Sequence, residues 1–131
     1  MFTTRRGLLI GAALLSAAGC TRPPATIAVS DADLTAALRA ARDLAAGAEA
    51  LGHDGIAADH RAHAATLERL LKPDAVEGGA GMEIGDDAAL AEAETRAGEE
   101  ARLACLATAG DYAVVFGEIA ASRAAHAAVL A

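Results

Sequence analysis

The side chains best suited to chemistry in this chain are His60, His63, His126, Glu94 and Arg123. Imidazoles with a carboxylate can ligate a borderline divalent metal ion. The same groups can form a hydrogen-bonded network or a proton-responsive cluster. His60 and His63 are three residues apart, so on a helix they share a side and can reach one ion. His63 and His126 occupy the same place in two similar stretches, ADHRAHAATL (58–67) and ASRAAHAAVL (121–130). The two agree at six of ten positions, four of them alanine, so the weight falls on the histidine and on Leu67 and Leu130. Three residues before His63 stands His60, whereas three before His126 stands Arg123, a fixed cation that repels a metal. Three readings compete: a buried network in which Glu94 pairs with Arg123, a mononuclear metal site, and a pH-responsive cluster. His53 lies in a turn and is expected to be solvated.

These residues can meet only if helices hold them. Alanine dominates the chain, and alanine has the best intrinsic helix propensity. Leu34, Ala37, Leu38, Ala41, Leu44, Ala45, Ala48 and Leu51 recur at three- and four-residue steps, an apolar helical stripe that Ser30 or Asp31 can cap. GHDG (52–55) breaks it. A second helix follows from about Ile56 to Leu71, with Ile56, His60, His63, Leu67 and Leu70 inward. KPDAVEGGAGMEIG (72–85) has no period and is expected to be a long loop. A third helix starts near Asp86 or Asp87 and ends near Thr108, with Leu90, Glu94, Ala97, Ala101 and Ala104 on one face. Ala109 and Gly110 break the chain and Asp111 caps a fourth helix. Its stripe is Val115, Ile119, Ser122 or Arg123, His126 and Val129 or Leu130. Two helical hairpins joined by a long connection make an all-α four-helix bundle. If the connection crosses back along the bundle, the histidines and Glu94 fall at similar heights. In an up-down-up-down bundle, His126 misses His63 by roughly 10 Å at 1.5 Å of rise per residue.

The chain begins MFTTRRGLLIGAALLSAAGC. Arg5 and Arg6 form a basic region, Gly7 to Ala18 an apolar run, and Ala18-Gly19-Cys20 a small-small-cysteine ending. The pattern is that of a targeting segment. It resembles a bacterial lipoprotein signal, which implies removal of residues 1–19 and a lipid such as palmitate on Cys20. The paired arginines resemble a twin-arginine export signal. Residues 20–30, with Pro23 and Pro24, would be a tether, and 31–131 the folded domain. Without Arg5 and Arg6, nine basic residues face 18 acidic ones, a charge of about −9. So acidic a domain is ill suited to nucleic acid or to electrostatic attachment to anionic lipid. A lipid on Cys20 would do the anchoring, on the extracytoplasmic side of the membrane. With Cys20 lipidated, Cys105 has no disulfide partner and is expected to be a small buried hydrophobe.

The two hairpins, the long connection and the inward histidines resemble the ferritin-like fold, and the alanine-rich ending IAASRAAHAAVLA is similar to ferritin-like lipoproteins of high-GC bacteria. Metal-binding members of that fold carry Glu-x-x-His on helices two and four and a glutamate on each of the others. Here His60 and Arg123 stand where those motifs have glutamate. Helix one offers only Leu44 and Gly47 at that height, and Glu94 is the candidate on helix three. The resemblance therefore implies a degenerate site without a di-iron centre. The chain also lacks a nucleophile with an oxyanion motif and a phosphate-binding glycine loop. The leading expectation is a non-enzymatic envelope lipoprotein that binds an unidentified envelope protein, with no cofactor and with self-association open to it. The alternative is a metal-binding or metal-dependent oxidase or storage protein that uses one transition metal ion at the His/Glu cluster. A small-ligand carrier is a further alternative, disfavoured by the scarcity of aromatics.

Overall fold

The computed structural model describes residues 31–71 and 81–131. The expected signal segment, Cys20 and the tether lie outside the described residues. Within them are four helices and no strand: α1 (Asp31–Ala50), α2 (Asp54–Leu71), α3 (Asp87–Ala107) and α4 (Asp111–Leu130). They form a four-helix bundle.

The helix ends follow local chemistry. Asp31 and Asp33 sit in the first turn of α1, where carboxylates favour the positive end of the helix dipole. At its other end the Gly52 N–H donates to the Glu49 carbonyl at 3.0 Å and the His53 N–H to the Ala48 carbonyl at 2.8 Å. This is a Schellman closure, and it needs Gly52 at φ 83°. Asp54, expected as a cap, is instead the first residue of α2. Asp86 caps α3, its Oδ1 accepting the Ala89 N–H at 2.8 Å. Asp111, also expected as a cap, is the first residue of α4. Gly110 holds the cap position at φ 66°, a left-handed conformation that suits glycine, and no side-chain bond closes that cap.

The order of packing decides the topology. α1 packs on α2 and α3 on α4, and α1 also lies against α3 while α2 meets α4. Ile84, just ahead of α3, covers Gly47 near the end of α1. α3 therefore begins at the end of the bundle where α1 finishes and α2 starts, opposite the end where α2 stops. That is the crossover arrangement, not up-down-up-down.

Small residues let the helices approach closely. A β-carbon at Gly47 would lie 2.5 Å from Ile84 Cδ1, and one at Gly98 would lie 3.3 Å from Arg123 Cβ. The apolar core has two parts. Leu34, Leu38, Leu67, Phe116 and Ile119 fill the end where the chain enters α1. Leu44, Ala48, Ala57, Ile84 and Leu90 fill the other. Ile84 belongs to the stretch expected to be loop, and its burial shows that the end of that stretch is core. The fourth stripe is also shifted: Phe116, Ile119, Arg123 and His126 are buried, whereas Val129 is exposed. α4 is apolar and long enough to cross a membrane by length and composition. Its buried stripe nevertheless carries Arg123 and His126, which the bundle core receives.

Candidate functional site: a buried histidine–glutamate cluster

Four polar residues are buried between the two apolar parts: His60, Glu94, Arg123 and His126. His60 comes from the second turn of α2, Glu94 from α3 and His126 from the last turns of α4. Crossover brings these heights together.

His60 Nε2–H donates to Glu94 Oε1 at 2.5 Å, and neither side chain is exposed. His126 Nδ1 lies 3.3 Å from the same oxygen but makes no hydrogen bond. Its other nitrogen, Nε2, lies 3.2 Å from Asp59 Oδ2 and 3.5 Å from Ser122 Oγ. With the Nε2 proton donated to Asp59, a neutral His126 presents a lone pair to the Glu94 carboxylate. Two acceptors then face each other with nothing between them. His60 Nδ1 and Glu94 Oε2 are also buried without hydrogen-bond partners. The His60 and His126 rings meet edge to face with centroids 5.0 Å apart.

One atom from each of His60, Glu94 and His126 lies within 4.8 Å of the other two. A tetrahedral ion with bonds of about 2.0–2.1 Å wants its ligands about 3.3 Å apart, so small side-chain adjustments suffice. This group could hold a metal ion.

His63 is not in the triad. The helix turns it toward the edge, and Ala64 takes the buried place beside Leu67. His63 is half-buried, with its ring centroid 6.3 Å from that of His60. Burial, chiefly, and then the neighbouring His60 and Arg123 charges hold its pKa below the ordinary histidine value.

Arg123 departs from the expected network. It does not pair with Glu94. Its Nη1 donates to the Ala97 carbonyl at 2.9 Å and its Nη2 to the Ala37 carbonyl at 3.5 Å. Burial lowers its pKa, and Glu94 and Glu100 oppose that through space. The bundle geometry sets this partner choice, because the guanidinium runs across α3 toward α1. The Glu94 carboxylate is left to the histidines.

Two other expectations change. His53 is partly exposed but not merely solvated, since its Nε2–H donates to Asp87 Oδ1 at 2.7 Å. Cys105 is half-buried and its thiol donates to the Ala113 carbonyl at 3.2 Å. Asp59 was missed by sequence reasoning. Its signal was weak: it directly precedes His60, and its face looks outward until α4 arrives beside it.

No family model, curated protein or solved structure matches the chain.

Proposed function

We propose that the protein is an exported, lipid-anchored helical bundle of ferritin-like type whose core binds one divalent transition metal ion. His60, Glu94 and His126 are the ligands. Asp59, holding the outer nitrogen of His126, orients that ring as an outer carboxylate does for metal-bound histidines. The carrying observation is the convergence of the three side chains in a buried site with polar atoms left unpaired. A purely structural network would satisfy those atoms, because buried polar groups normally have partners. Two imidazoles and one carboxylate suit zinc or a similar borderline ion better than calcium or magnesium, which prefer oxygen. Three protein ligands leave a fourth position for water or a small ligand. The Arg123 charge weakens the attraction but does not occupy the carboxylate. Binding is the proposed activity, and no catalytic step is assigned.

The test is metal analysis of untagged protein after incubation with zinc and desalting. One zinc per chain is expected for the wild type and none for Glu94→Gln. A cobalt-loaded sample should show the visible bands of a low-symmetry four-coordinate site. A wild type that keeps no stoichiometric metal overturns the reading. Membrane attachment is tested separately by palmitate labelling, which Cys20→Ala should abolish.

A further inference from the structure

On the face made by α1, α3 and α4 lies an open cleft of about 220 Å³, lined by Ala36 and Ala37 of α1, Ala101 of α3, and Phe116 at its apolar wall. Arg123 lines its interior, and Asp33 and Glu100 belong to the same lining. Arg123 is the largest of the fully buried side chains, only 1% exposed. A guanidinium has five N–H donors. In Arg123 one terminal nitrogen makes a good bond to a carbonyl, the other a long one, and Nε has no acceptor. No carboxylate forms a direct ion pair with it among the described residues. A buried cation with so few acceptors carries a large desolvation cost, and an anion reaching it would offset that cost. A plain anion, however, must pass the two carboxylates.

We infer that this cleft binds a small zwitterion, with its oxyanion on Arg123 and its ammonium toward Glu100 at the rim. Each charged end then meets its opposite, and the alanines and Phe116 receive a short aliphatic body. A free α-amino acid has this chemistry, and so does the ethanolamine phosphate group of a lipid headgroup. The volume admits a body of a few carbon atoms and no large side chain. This inference uses different residues from the metal site and does not depend on it.

Titration calorimetry on the full domain with L-alanine and with phosphoethanolamine tests it. At least one should bind saturably at one per chain. L-Alanine alone binding identifies the free amino acid as the source, and phosphoethanolamine alone identifies the headgroup. Acetate and methylamine, which carry one charge each, should bind at least tenfold more weakly. Glu100 and Ala36 are exposed, so their variants should fold normally, which circular dichroism checks. Glu100→Gln should weaken zwitterion binding about tenfold, and Ala36→Leu, which fills the cleft, should abolish it. Arg123→Lys, if folded, should weaken the oxyanion contact in the same way. Failure of both zwitterions to bind, acetate binding as well as the zwitterions, or binding that survives Ala36→Leu would overturn the inference.

Discussion

The two similar stretches, one on α2 and one on α4, place their residues at matching depths but give them different work. In each, the residue three before the matched histidine is the more deeply buried: His60 is 0% exposed and Arg123 1%. The matched histidines lie further out, His126 at 9% and His63 at the edge. An imidazole is short, so His60 stays at the level of Glu94 and bonds to it. A guanidinium on a longer stem reaches past Glu94 to the carbonyls of Ala97 and Ala37. One helical position, filled two ways, therefore serves the histidine–glutamate cluster on one side and the cleft on the other. The outer histidines differ through their neighbours. His126 has Asp59 from the facing helix, whereas the buried Nδ1 of His63 has no hydrogen-bond partner.

The largest expected break in this comparison comes from removing the two matched histidines one at a time. His126→Ala should lower zinc affinity by about a hundredfold or more, beyond the 10–100-fold typical of losing an outer-shell partner. Asp59→Asn should fall within that outer-shell range. His63→Ala should leave affinity within about threefold, since that imidazole is not one of the three ligands. Competition against a chelating dye measures all three. Equal losses for His63→Ala and His126→Ala would show that the two stretches act symmetrically.

Next comes the other deep position. Arg123→Ala removes a buried stem that touches Gly98, and it opens the cleft into the core. We expect a loss of about 2–4 kcal/mol in urea unfolding, the range for large-to-small changes at buried sites. Arg123→Met keeps the volume and discards the desolvated charge, so it should cost about 1 kcal/mol or less, or even stabilise. A Met variant as unstable as the Ala variant would mean that the two carbonyl bonds, not the volume, hold this part of the bundle.

Much of this fold was legible from spacing. The α1 stripe, the GHDG break and the Asp86 start of α3 depend on local periodicity and capping, which one sequence carries. The inward facing of His60, Glu94, Arg123 and His126 could be read for the same reason. The displaced His63 could not. Ile56 and Ala57 both fit a helical stripe, and only the packed bundle selects Ala57, which rotates His63 outward. Ile84 lay in a glycine-rich stretch without a period, and its burial depends on Gly47 leaving it room. The partners of Arg123 were opaque for a related reason. Sequence offers a carboxylate as its natural mate, whereas the geometry of α3 and α1 offers carbonyls first.

The smallest expected effect concerns His63 and separates the outer histidines by pH in metal-free protein. Its pKa is lowered in the fold, mainly by burial. A histidine with a depressed native pKa binds its proton more readily when unfolded, so stability rises with pH through that window. The contribution of His63 is then complete above the unfolded value of about 6.5 and is lost as pH falls through the lower native value. His63→Asn should therefore flatten part of the decline in midpoint denaturant concentration between about pH 7 and pH 5. Because His63 is only half-buried, solvent screening keeps this effect small beside those of Arg123. His126 stands beside two carboxylates, Asp59 and Glu94, so its replacement should not reproduce that flattening. If His126→Asn flattened the profile as His63→Asn does, the two outer positions would be electrostatically equivalent. The difference between the stretches would then reside wholly in the deep pair, His60 and Arg123.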